Sequence, residues 1–264
     1  MRVSRPKTAV FCALVALFAL GAGIAHGEIS QKGKLRVKVA GKLAPHNLPR
    51  KGVAPISVYF SGQISTTDDS QPPQLKQLRI EINRNGRLDY VGLPVCRAEE
   101  IQPASTGRAL AACRRSLVGQ GTFWASVVFA GQAPYPTKGH LLVFRGERKG
   151  RPVLLGQIYS AHPFATSFLI PFTIHNSKRG KYGTVLNASL PSALGNWGYV
   201  TAISMKLSRR YTVRGRAHSF ISAGCPAPKG FPGAIFPLAR TSFKFSGGKQ
   251  IASSLTKSCA VRGK

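Results

Sequence analysis

From Lys34 onward the chain alternates apolar and polar residues with a period of two. Leu35, Val37 and Val39 alternate with Lys34, Arg36 and Lys38, which predicts a strand with one buried face and one basic, outward face. The pattern recurs at Ile56, Val58 and Phe60, and again at Leu78, Ile80 and Ile82. Asn85-Gly86 then predicts a tight turn toward Leu88. The apolar runs TFWASVVF, HLLVF, PVLLGQIY, SFLIPFTI and GTVLNASL follow, separated by segments rich in Gly, Pro and charge. YVTAISMKL with RYTVRG predicts one hairpin, and TSFKF with QIASSLT around Ser246-Gly247-Gly248 predicts another. A single segment reads as helix. Ser105 is the N-cap of TGRALAACRR, whose Ala109, Leu110 and Cys113 face the core, and Gly107 limits it to one or two turns.

About a dozen short strands with Gly/Pro turns define an all-β protein, a β-sandwich of Ig-like or jelly-roll-like topology with one short helix. The expected organisation has three parts. Residues 1–27 form a signal peptide, 28–53 a basic N-terminal arm leading into the first strand, and 54–264 a single β-sandwich domain. Residues 66–74, TTDDSQPPQ, read as a polar loop, and GCPAPKGFPGAIFPLAR around Cys225 reads as a rigid, bridge-stapled loop. No fixed-period repeat is visible.

The signal-peptide assignment rests on a basic head (Arg2, Arg5, Lys7), an apolar run from Thr8 to Ile24, and small residues at Ala25 and Gly27. Retention of that run as a membrane anchor is the rival. The run is slightly short of the roughly 20 residues that span a bilayer. Cys12 sits in the middle of the run, where a lipoprotein cysteine would not. Cleavage leaves Cys96, Cys113, Cys225 and Cys259, an even number that suits two disulfides in an oxidising compartment. Three connectivities are possible, and the sequence-local one, Cys96–Cys113 with Cys225–Cys259, is expected.

Export changes the meaning of the charge. A formal charge of +30 would otherwise suggest nucleic acid. In an exported protein it suggests wall polymers, anionic polysaccharide or phospholipid headgroups. Apolar residues make up 43% of the chain, enough to bury a core despite that charge. Basic residues gather at Arg145–Arg151, Lys178–Lys181 and Arg209–Arg216, where the ordinary alternative is a solvated outer face that keeps the domain soluble. The candidate ligand-binding residues are Trp197 and Tyr199, as an aromatic platform for sugar, with Arg209, Arg210 and Arg214 for anionic groups. Core packing is the commoner fate of such a Trp, and of Trp124.

No motif for catalysis stands out. Asp68-Asp69 could begin a calcium loop, yet no spaced third carboxylate follows, and a solvated turn explains them better. Glu99 and Glu100 are adjacent and so point apart, leaving Glu81, Asp89 or Glu147 as distant partners for glycoside chemistry. His46, His140, His162, His175 and His218 show no HxH or HExxH spacing, and no GxSxG is present. A polysaccharide lyase would draw best on Tyr159, His162 and Arg145. Asn187-Ala188-Ser189 matches a glycosylation sequon. No catalytic residue, metal ligand or cofactor is predicted.

The passages CRAEEIQPASTGRALAACRRSLVGQGTF, YGTVLNASLP and SFISAGCPAPKGFPGAIFPLARTSFKF resemble a group of exported actinobacterial proteins with no known activity. The resemblance spans about residues 50–260 and implies an exported single-domain protein with these cysteines in place. It implies no site residues.

The combined expectation is a secreted or envelope-associated, monomeric, non-catalytic basic β-sandwich that binds anionic or carbohydrate polymer. Nucleic acid is not an expected partner, and membrane contact is expected only through the signal peptide. The alternatives are a lyase or hydrolase acting on acidic polysaccharide, and a purely structural or interaction domain.

Overall fold

The computed structural model describes residues 27–129, 131–190 and 198–263. The basic head and apolar run of the expected signal peptide lie outside these residues, as does Trp197. The strands β1 (Glu28–Lys32) and β2 (Leu35–Ala44) open the fold. Short β3 (Asn47–Leu48) and β4 (Ala54–Pro55) lead into β5 (Ser57–Thr66). Strand β6 (Leu75–Asn83) is followed by short β7 (Gly86–Leu88). A helical insert, α1 (Ala98–Ile101) and α2 (Thr106–Cys113), precedes five consecutive antiparallel strands. These are β8 (Leu117–Val127), β9 (Tyr135–Arg148), β10 (Arg151–Ser160), β11 (Thr166–Asn176) and β12 (Tyr182–Ser189). Next come β13 (Gly198–Leu207), β14 (Arg210–Val213), β15 (Arg216–Ser219) and β16 (Ile221–Ala223). The hairpin β17 (Gly233–Phe245) and β18 (Gln250–Val261) ends the chain.

The expected all-β, sandwich-like fold is present, built from one curled sheet of thirteen strands ordered β1-β2-β5-β13-β8-β9-β10-β11-β12-β6-β17-β18-β3. Its two ends meet. The Glu28 carboxylate on β1 accepts from the Thr256 amide of β18 at 2.8 Å, and Gly41 of β2 lies against Leu255. One face of the sheet therefore becomes the interior. Alternation decides which residues enter it: Leu35, Val37 and Val39 are fully buried, while Arg36 and Lys38 between them are exposed. The small sheet β4-β16-β7 packs Ile221, Ala223 and Leu88 against that interior, with Ala54 buried beside them.

The helical insert covers the outer side of β9 and β10. Ile101, Ala104, Ala109 and the Cys96–Cys113 disulfide pack on Leu142, Phe144, Val153 and Leu155, the residues opposite in phase to the interior set. Ser105 caps α2 as expected, accepting from the Arg108 amide at 3.4 Å. Buried Gln157 ties the insert down by donating to the Ala104 carbonyl at 2.8 Å. The second disulfide, Cys225–Cys259, joins the chain ahead of β17 to the end of β18, so both bridges follow the sequence-local pairing. Two bridges fit an oxidising compartment. No helix among the described residues is long and apolar enough to cross a membrane.

Several local expectations differ. The segment expected as a basic arm already holds β1, β2 and β3, because its period-two alternation outweighs its basic composition. The turn at Asn85 forms, but β7 leaves β6 and pairs with β16. YVTAISMKL and RYTVRG form no hairpin with each other. β13 pairs with β5 and β8, and β14 pairs with β15. The tract after Cys225 is loop only as far as Pro232, after which β17 begins. That loop is held by the Arg50 guanidinium, which donates to the carbonyls of Ala227 (3.0 Å), Phe231 (2.7 Å) and Pro228.

Candidate functional site

The aromatic and basic residues singled out in the sequence do not converge. Tyr199 opens β13, half-buried and opposite Ser126 of β8. Arg209 lies past the other end of the same strand, so roughly 30 Å of extended chain separates the two. Arg210 is exposed on β14, and Arg214 occupies the β14–β15 turn with φ 47°. The lyase set is also dispersed. Tyr159 stands opposite His140, whereas Arg145 stands opposite Leu154, five positions along and on the inward face. His162 is exposed beyond the end of β10.

Most of the acids are occupied by structure. Glu100 closes the first turn of α1 by accepting from the Arg97 amide at 2.8 Å. Asp68 pairs with Lys34 at 2.8 Å and accepts from Ser70, and these bonds hold its carboxyl well below the usual range. The same pairing raises the Lys34 ammonium. Glu81 pairs with Arg79 at 3.0 Å, and Glu147 lies 3.7 Å from Arg145. Asp89 pairs with His218 at 2.9 Å, while the Tyr211 hydroxyl donates to the Asp89 carbonyl and its ring stacks on His218. Burial, then the Asp89 charge, pushes the Tyr211 phenol up to about 12, which opposes a role as general base. The three residues Cys96, Glu100 and Cys113 present metal-type donors within 4.8 Å of one another, but both sulfurs are committed to the disulfide.

What the fold does assemble is a polar groove on the outer face of β11, β12, β6 and β17. In the ladder register Thr173 lies opposite Asn187, Asn187 opposite Arg79, and Arg79 opposite Ser242. A second row sets Ser189 opposite Gln77 and Gln77 opposite Lys244. At normal strand spacing the four-strand row is roughly 15 Å across and the three-strand row roughly 10 Å. Arg148, the last residue of β9, joins them to enclose about 430 Å³. Arg79 donates to the Asn187 amide oxygen at 3.3 Å and to Glu81, so its guanidinium is held over the rows. Glu81 is flanked by a second cation, Arg240, at 4.0 Å.

Every row residue occupies an outward position of its strand; the alternation was legible in β6, whereas SFLIPFTI and GTVLNASL read only as apolar runs. Which strands stand side by side was not legible, so Arg79 and Lys244 carried no signal as a pair. The sequon residue Asn187 sits inside the groove, in mid-strand. Comparison of the chain with protein-family models, with curated proteins and with solved structures finds no match in any of the three.

Proposed function

We propose that this is an exported, non-catalytic binding protein whose outer groove takes an acidic polysaccharide or related anionic polymer of the cell envelope. The observation that carries the reading is the pair of polar rows at Thr173–Asn187–Arg79–Ser242 and Ser189–Gln77–Lys244, bordered by Arg148. Hydroxyl and amide groups at regular strand spacing suit sugar hydroxyls, and three cations suit carboxylate or sulfate groups. The volume lies within the roughly 300–1,000 Å³ usual for ligand sites. A charge of +30, only three of it from Arg2, Arg5 and Lys7 in the expected signal peptide, raises the local concentration of any polyanion before contact. The basic head and apolar run at the start of the sequence, with two disulfides, support export.

A glycan array at low and high salt tests this reading. Acidic polymers bind at low salt, and Arg79→Ala with Lys244→Ala removes most of that binding while the melting temperature stays close to that of the parent. Unchanged binding in the double variant, or release of unsaturated sugar products, overturns it.

A further inference from the structure

The curled sheet encloses two apolar cavities of about 60 Å³ and about 110 Å³. Phe60, Val143, Phe172 and Met205 line both, so the lobes meet at a waist made by these four side chains. Along β6 the wall runs from Leu75 in the smaller lobe to Asn83 in the larger, roughly 26 Å at the rise of an extended strand. Protein interiors hold few voids larger than a water molecule, and an apolar void stays dry and open to an apolar guest.

Two glycines keep the smaller lobe open. A Cβ at Gly62 would stand 3.6 Å from Ile203, and one at Gly156 would stand 3.4 Å from the Ile170 carbonyl oxygen, both ordinary contacts. Neither residue has a positive φ. Glycine is thus demanded by neither crowding nor backbone at these positions, unlike Gly121, whose Cβ would collide with the Ser204 carbonyl. Met205 at the waist has the flexible thioether that adapts to a guest.

Two cations stand beyond the larger lobe, outside its lining. Val143, Gly119 and Leu207 lie side by side across β9, β8 and β13, and both Val143 and Leu207 line that lobe. Two positions beyond Val143 stands Arg145, opposite the lining residue Leu154, and two positions beyond Leu207 stands Arg209. The Arg145 side chain is only 14% exposed. Its Nε and Nη1, and the Nε of Arg209, are buried without a hydrogen-bond partner among the described residues. Glu147 reaches only the Arg145 Nη2, at 3.7 Å. Buried guanidinium N–H groups are costly unless an acceptor meets them.

We infer that the interior binds one long-chain fatty acid, its unbranched tail threading the two lobes and its carboxylate meeting Arg145, with Arg209 at the same end. A planar guanidinium fork matches a carboxylate in two parallel hydrogen bonds.

Fluorescence titration of the full, disulfide-bonded protein with cis-parinaric acid tests this, with palmitic acid and hexadecanol as competitors. The expected result is saturable binding of one probe per chain that persists at about 1 M salt, where surface charge is screened within about 3 Å. Gly62→Val and Gly156→Val fill the smaller lobe and each weaken binding at least tenfold without lowering the melting temperature. Arg145→Leu weakens palmitic acid at least tenfold and leaves hexadecanol unchanged, which also shows that the variant's cavity is intact. Binding lost at high salt, or absent altogether, overturns the inference. So does binding unaffected by both glycine substitutions, or equal loss of acid and alcohol in Arg145→Leu.

Discussion

Gly41 and Leu255 mark the place where the curled sheet closes on itself: a Cβ at residue 41 would stand 2.5 Å from the Leu255 Cδ2 and 3.2 Å from the Tyr59 carbonyl oxygen. Leu255 is 2% exposed, so its methyl groups have nowhere to retreat. Gly41→Ala therefore overpacks the seam and costs about 1–3 kcal/mol. Leu255→Ala alone opens a cavity at similar or greater cost. Because the two changes relieve each other, the double variant is more stable than the sum of the singles predicts, as a urea double-mutant cycle will read. Strict additivity would show that β2 and β18 are not in contact in solution.

The two disulfides lie in separate packing units, Cys96–Cys113 under the helical insert and Cys225–Cys259 in the main core. Their loops of 17 and 34 residues correspond to about 3 and about 4 kcal/mol on the loop-entropy estimate. Cys113→Ser with Cys96→Ser loosens the insert first, so amides of α2 exchange early while β17 and β18 stay protected. Loss of the second bridge instead lowers the global unfolding midpoint. Hydrogen exchange on the two variants checks the division, and identical exchange maps would refute it.

The difference between what was legible and what was not follows from range. Leu35, Val37 and Val39 announce an inward face because the signal lies within one strand. The β17–β18 hairpin was equally plain, since Gly247 and Gly248 both take positive φ in its turn. Partner choice across the sheet is different. β13 and β14 follow each other closely in sequence, but β13 inserts between β5 and β8 while β14 pairs with β15 in a separate sheet. The groove depends on that long-range order, because Arg79, Asn187 and Ser242 come from three distant segments. Arg145 shows the opposite difficulty. It belongs to a cluster that looks like solvated surface, and only the register opposite Leu154 turns it inward.

Glu81 is the acid that limits the groove's positive field, held between Arg79 at 3.0 Å and Arg240 at 4.0 Å. Glu81→Gln keeps the shape of the side chain and removes its charge, which frees Arg79 for an external anion. Elution of the variant from a heparin column shifts to higher salt, whereas Arg79→Ala shifts elution to lower salt. A Glu81→Gln variant that elutes with the parent would remove Arg79 from the groove's binding groups.

Alkaline stability isolates the hairpin β14–β15. The Tyr211 phenol is pushed from 10.0 up to about 12 by burial first and by Asp89 second, so the fold favours its neutral form. A group whose folded value lies above its unfolded value contributes stability that is complete below pH 10 and is lost as pH rises toward 12. In the parent, urea midpoints fall across that window partly because Tyr211 must ionise. Tyr211→Phe keeps the ring stacked on His218 but removes the ionisable hydroxyl, so the decline across the same window becomes shallower. The variant is somewhat less stable near neutrality, where it lacks the bond to the Asp89 carbonyl. Urea titrations at neutral pH and at about pH 11 measure both effects. Parallel declines in parent and variant would show that Tyr211 ionises as freely in the folded protein as in the unfolded chain.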